Sequence, residues 1–286
     1  MKKTYIIISI IFLSSFSFSQ TLKTPILSPF SKISQEIGLT EVSLEYSRPS
    51  AKGRIIFSKL VPFGEVWRTG ANASTKITLS EEVKIGGKSI QPGTYALYTI
   101  PGKDIWTIII HSNITLRSLA GNVYNSANDV FRFELKPLKI EQYVESFTIQ
   151  FSDLKSNSFN LQLSWENTLI NIPFEVEVDS KIDKQMETML KNPDSITHQT
   201  YFEAAQYYLN NNKDLSVALL WINSALEKNT KNFRYGLLKA KIQFNSGDKK
   251  NALNTIDLAN MWAKEVKNNN YIEQTELFRK SLLEMK

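Results

Sequence analysis

The chain has no cysteine among its 286 residues. That excludes disulfides, thiol nucleophiles, thiolate metal sites and iron–sulfur clusters. It also excludes the lipid anchor that a bacterial lipoprotein carries on a cysteine at its cleavage site. Histidine is scarce: only His111 and His198 occur, far apart in the chain, so their spacing predicts no metal site. No serine-nucleophile elbow, phosphate-binding loop or dinucleotide fingerprint is present, and no cofactor is expected. Beyond the N-terminus no apolar run reaches the roughly 20 residues of a spanning helix. The net charge of +6 is mild for this length and spread along the chain. Nucleic-acid binding needs a concentrated basic face, so a nucleic-acid partner is not expected.

The N-terminus carries a different signal. Lys2 and Lys3 precede the apolar run Ile6 to Leu13, which only Ser9 interrupts. Ser14 to Ser19 supplies small residues, and Ser17 and Ser19 fit the −3 and −1 positions of a cleavage site. Residues 1–19 therefore read as a signal peptide cut before Gln20. The mature chain is expected to be exported and soluble, periplasmic or extracellular, with no membrane span.

Residues 20–179 read as short strands. Val42 to Tyr46 alternates apolar and polar, the period of a half-buried strand. Lys76 to Leu79 and Val83 to Ile85 continue the pattern, and Gly86-Gly87 before Lys88 to Ile90 predicts a two-residue hairpin. Pro92-Gly93 and Pro101-Gly102 bracket Thr94 to Ile100, and Ile105 to Ile110 is apolar enough for a central strand. Phe131 to Leu135, Ser146 to Phe151, Phe159 to Trp165 and Leu169 to Val178 complete the set. The expected fold is an antiparallel β-sandwich or barrel.

Residues 180–286 change to a helical period. Ala218, Leu219, Ile222 and Ala225 recur 34 residues later as Ala252, Leu253, Ile256 and Ala259. That period of paired helices is tetratricopeptide-like. Ala204, Ala205 and Tyr208 fit the first helix of one unit, and Leu238, Ala240 and Phe244 that of the next. Asn210 to Asp214 and Asn245 to Lys249 are the inter-helix turns. The first-helix matches slip by one residue between the units, as if the first turn were one residue longer, and Tyr271 to Leu283 reads as a terminal capping helix. Such an array, of about two units, predicts a protein partner on its concave face.

The densest unusual run is Tyr46-Ser-Arg48-Pro49-Ser-Ala-Lys52-Gly53-Arg54, leading into Leu60-Val-Pro62-Phe-Gly64-Glu-Val-Trp67-Arg68-Thr-Gly70-Ala71-Asn72-Ala-Ser-Thr75. With Gly86-Gly87-Lys88, Pro92-Gly93-Thr94-Tyr95, Ile100-Pro101-Gly102, Trp106, and upstream Ser28-Pro29 and Gln35 to Gly38, it resembles the bacterial domain-of-unknown-function family 2911 over roughly residues 25–172. The resemblance implies an exported β domain and no assigned activity.

Read chemically, Arg48, Lys52, Arg54 and Arg68 gather four cations within 21 residues, with Trp67 and Asn72 beside them. Arginine grips carboxylate or phosphate in bidentate fashion, and tryptophan offers a flat face for stacking. These six residues are the candidate ligand-binding set, for a small anionic or carbohydrate ligand. Two other readings stand beside this one. The arginines pair with Glu45, Glu65, Glu81 or Glu82 and only pin a loop, with Trp67 in the core, and the domain is purely structural. Alternatively, Glu45, Asp104, Asp129 or His111 shares a concavity with the arginines and hydrolyses an envelope polymer. No catalytic residue is assigned.

Overall fold

The structure is a computed structural model and describes residues 22, 24–117, 119 and 123–284. The expected signal peptide lies outside these residues. The chain divides between Val176 and Glu177 into two compact units.

The first unit is two antiparallel sheets. One holds β1 (Phe30–Ile37), β2 (Thr40–Ser47), β3 (Thr75–Leu79), β6 (Gly93–Ile100), β7 (Trp106–His111) and β8 (Asp129–Leu135), in the order β1-β2-β3-β6-β7-β8. The other holds β4 (Val83–Ile85), β5 (Lys88–Ile90), β9 (Leu138–Ser152) and β10 (Ser158–Val176), in the order β5-β4-β10-β9. The two sheets are separate, so the sandwich holds rather than the barrel. The Gly86-Gly87 hairpin forms as its sequence predicts. Ile85 pairs with Lys88, and both glycines have positive φ, 58° and 78°.

Several elements differ from expectation, among them β9, which begins at Leu138 rather than Ser146. The strand β1 goes unannounced, because its apolar residues Phe30, Ile33 and Ile37 do not alternate and Phe30 faces solvent. The strand β10 is one long strand rather than two, with register shifts around Glu166. Bulges of this kind bend a strand and re-aim a side chain. Apolar β7 is interior but stands next to the edge strand β8 rather than at the middle of its sheet.

The core follows from the alternation. Val42, Leu44 and Tyr46 of β2, Ile77 and Leu79 of β3, and Leu161, Leu163 and Trp165 of β10 are all buried. Each fully buried aliphatic or aromatic side chain contributes about 1.5–3 kcal/mol.

The second unit is α1 (Asp179–Met189), α2 (His198–Asn210), α3 (Leu215–Lys228), α4 (Phe233–Asn245), α5 (Lys249–Glu265) and α6 (Asn269–Glu284). Each of α2 to α5 packs on the helix that follows it, and α2 touches α4 as α4 touches α6. This is the neighbour pattern of stacked helix pairs. Of the residues of the 34-residue period, Ala218, Ile222, Ala225, Ala252, Ile256 and Ala259 are fully buried, and Leu219 and Leu253 are half-buried. Side-chain oxygens of Thr197, Asp214, Asn232 and Asp248 accept N–H groups at the starts of α2 to α5. Gly236 of α4 packs tightly on α5, where an added Cβ would lie 2.8 Å from that of Ala259. His198 is half-buried at the start of α2 and bonded to Tyr235 at 2.7 Å. Among the described residues no helix is long and apolar enough to cross a membrane.

Candidate functional site

The segment from Arg48 to Thr75 leaves β2 at one sheet, crosses to the other, and returns as β3. It begins by running along β9. Backbone bonds join Ala51 N–H to Glu145 O at 2.8 Å and Phe147 N–H to Pro49 O at 2.9 Å, and Ser50 bridges Ser146. The buried Tyr46 hydroxyl bonds both backbone groups of Ile149 at 3.0 Å. Arg48 joins this seam. Its Nε donates to Phe147 O at 3.1 Å and its Nη2 to Thr148 Oγ1 at 2.7 Å.

Next comes a tight turn. Arg54 N–H returns to Ala51 O at 3.1 Å, and Lys52 and Gly53 both have positive φ, 51° and 71°. Two such residues in the centre mark a type I′ turn, in which glycine is at ease and lysine is strained. Two carboxylates from the other sheet hold the strained segment. Glu145 Oε1 accepts Lys52 N–H at 2.8 Å, and Glu166 Oε1 accepts Ile56 N–H at 3.0 Å. Glu166 has φ 50° at the bulge in β10, so one irregularity fixes another.

Beyond this turn an aromatic cluster closes the sandwich. Trp67 is 9% exposed and stacks on Trp165 at 5.8 Å between ring centres. Phe147 lies 5.0 Å from Trp67, and Phe57 lies 5.0 Å from Trp106. Trp67 donates its indole N–H to Gly70 O at 3.1 Å, and Trp165 donates to Glu145 O at 3.2 Å.

A cavity of about 490 Å³ opens beside this cluster, lined among others by Lys52, Arg54, Trp67, Arg68, Gly70 and Trp165. Four of the six sequence-predicted residues thus meet at one concavity. Arg48 and Asn72 do not line it. Arg48 is spent on the seam between sheets. Asn72, at φ 63°, ties its loop to Ser28 O at 3.3 Å and Ser47 Oγ at 3.1 Å.

The guanidinium groups are oriented without being neutralised. Arg54 donates to Ala51 O at 2.9 Å and Ser50 O at 2.7 Å, and Arg68 donates to Arg117 O at 2.7 Å. Among the described residues none of Arg48, Arg54 and Arg68 is paired with a carboxylate. Glu45, one of the expected partners, bonds Lys32 at 3.1 Å instead. The charge of Arg68 is felt nearby: burial raises the pKa of the Tyr98 phenol, and Arg68 partly opposes that rise.

The catalytic candidates lie elsewhere. Glu45, Asp104, Asp129 and His111 do not line the cavity. His111 is fully buried, accepts Asn113 N–H on Nδ1 at 3.1 Å and has Nε2 3.2 Å from Asn125 O. Asp129 holds Arg132 and accepts the Tyr124 hydroxyl at 2.6 Å, a local ion-pair arrangement. Sequence reading missed Glu145, Glu166, Trp165 and Phe57. Their only signal is proximity to a register that pairs residues about a hundred positions apart.

A family model described as "Protein of unknown function (DUF2911)" matches residues 28–174, the whole of the β-rich region. No curated protein matches the chain. Among solved structures, the "TPR2B-domain:pHsp70-complex of yeast Sti1" is 20% identical, with a TM-score of 0.33, covering 37% of this chain and 82% of that one. At that similarity it bears on neither fold nor partner. The chain belongs to the DUF2911 family.

Proposed function

We propose that this DUF2911 member is an exported cell-envelope protein that binds rather than catalyses. Its β unit takes a small anionic or carbohydrate ligand in the cavity of Lys52, Arg54, Trp67 and Arg68, and its helical unit takes a protein partner. Export rests on the pattern from Lys2 to Ser19. The ligand reading rests on one observation: Arg54 and Arg68 are held at a concavity by carbonyl oxygens alone. Carbonyls satisfy N–H donors but leave the positive charge in place, and each charge-assisted bond to a ligand is worth about 1.5–3 kcal/mol. Trp67 and Trp165 supply an apolar wall for a sugar or acyl face. The partner reading rests on the stacked helix pairs, in which α2, α4 and α6 neighbour one another.

The test is a thermal-shift screen of the chain from Gln20 against phosphate, citrate, glucuronate and muramic acid, with glucose as the neutral control. A ligand at about 100 times its dissociation constant adds about 2.7 kcal/mol to the folded state. A saturable shift from at least one acid, lost in Arg68→Ala with the fold intact, is expected. Flat curves with every acid would overturn the ligand reading.

A further inference from the structure

The geometry points to a second binding site in the β unit, at the other side of the same aromatic cluster, for a carboxylate carried on an apolar body. A cavity of about 290 Å³ is lined by Phe57, Phe63, Lys103, Trp106, Leu138 and Lys139, with neighbouring turn residues. Four parts of the fold converge there: the crossing loop, the turn between β6 and β7, the start of β9, and β10. Gly64 N–H bonds Pro101 O at 2.9 Å, tying the loop to that turn, and Thr168 of β10 pairs with Lys139 of β9. Gly102 belongs to this wall for a steric reason, since an added Cβ would stand 2.2 Å from Ile105 O.

The chemistry of the lining selects the ligand. Phe63 and Leu138 are large apolar side chains left 43% and 50% exposed at its rim. Phe57 and Trp106 form the floor, packed edge to face. Trp67 and Trp165 spend their indole N–H groups on carbonyls, whereas Trp106 makes no such bond among the described residues. Lys103 and Lys139 are exposed and carry no ion pair among the described residues, and no acidic side chain lines the cavity. Apolar walls favour a ring or short acyl chain, and two lysines without carboxylate partners favour a terminal anion. This site differs in kind from the first, where guanidinium groups suit a more polar, multidentate ligand.

The probe is 4-phenylbutyrate, titrated into the full mature chain and followed by tryptophan fluorescence. Butyrate lacks the ring, and 4-phenylbutanol lacks the charge. Saturable binding of 4-phenylbutyrate is expected, with both analogues weaker by about tenfold. The double variant Lys103→Ala, Lys139→Ala changes only exposed side chains and is expected to lose about tenfold in affinity. Arg54→Ala with Arg68→Ala is expected to leave the binding unchanged, which separates this site from the first. The proposal is overturned by a lack of saturation up to about 10 mM. Equal affinity for 4-phenylbutanol in the unaltered protein overturns it as well, a comparison that needs no variant to fold. Loss of binding in the arginine variant instead would return the probe to the first cavity.

Discussion

The crossing loop of the β unit and the helical unit treat their cations in opposite ways. Among the helices, Lys213 closes on Asp183 at 2.8 Å, Lys264 on Glu276 at 2.9 Å and Arg279 on Asp257 at 2.6 Å. In the loop, Arg48, Arg54 and Arg68 meet only carbonyl and hydroxyl oxygens. A carboxylate satisfies the donors and cancels the charge together. A carbonyl does the first without the second. The helical arrangement fastens one element to another. The loop arrangement keeps positive potential at a cavity while still fixing where each side chain lies. Arg48 shows that position in the fold decides which use prevails, since its seam between sheets is structural although its partners are of the same kind.

The comparison breaks most readily at the aromatic cluster. Trp165→Ala removes the stack on Trp67 and the bond to Glu145 O, and is expected to cost about 3–5 kcal/mol in urea unfolding. A loss below about 1 kcal/mol would mean that the cluster is not the core of the loop.

Next in size is the split among the arginines. Arg48→Ala should cost about 1.5–3 kcal/mol of stability and leave anion affinity alone. Arg54→Ala, on an exposed side chain, should change stability by about 0.5 kcal/mol or less while weakening anion binding. Chemical denaturation and calorimetric titration of both variants would check this, and a shared profile would erase the distinction.

On the helical side, Gly236→Ala sets two effects against each other. The substitution gains up to about 1 kcal/mol of helix propensity. It also drives a Cβ to 2.8 Å from that of Ala259, and overpacking costs about 1–3 kcal/mol. A net loss near 1 kcal/mol in thermal unfolding is expected, and a gain would show that α4 and α5 have room to separate.

The smallest effect is that of acid. Burial works to raise the Asp183 pKa, but hydrogen bonds from Lys213 and Tyr208 outweigh it and hold the carboxyl below its ordinary range. Bonds at helix starts also lower Asp214 and Asp248, and a bond from Lys264 lowers Glu276. Groups depressed in the folded state contribute stability above the unfolded carboxylate range, near pH 4, and lose it as pH falls through their lower folded values. Helical melting temperature should therefore hold at neutral pH and fall below about pH 4, and Asp183→Asn should flatten part of that fall.

How legible the molecule was in its sequence depends on the reach of each interaction. Local signals held: the Gly86-Gly87 hairpin, the alternation of β2, and the one-residue difference between the turn after Asn210 and the turn after Asn245. The strand β1 escaped because edge strands need no regular apolar face. The continuity of β10 escaped because its polar stretch Glu166-Asn167-Thr168 reads as a turn, whereas it is a bulge anchored by the crossing loop. At the candidate site, the density of Lys52, Arg54, Trp67 and Arg68 was visible in one window. Arg48 and Asn72 stood in the same window but turn toward other partners, which spacing does not encode. Glu145, Glu166 and Trp165 enter through strand register, a property of the whole sheet.

The most direct test of the central claim is calorimetric titration of glucuronate into the chain from Gln20 and into its Arg54→Ala, Arg68→Ala variant, at low and high salt. Carbonyl-held, unneutralised guanidinium groups predict saturable binding that weakens with salt and falls by about tenfold or more in the variant, with unfolding midpoints unchanged. Equal affinity in both proteins would contradict the claim, as would the absence of heat at any concentration, and would make the crossing loop a structural clasp.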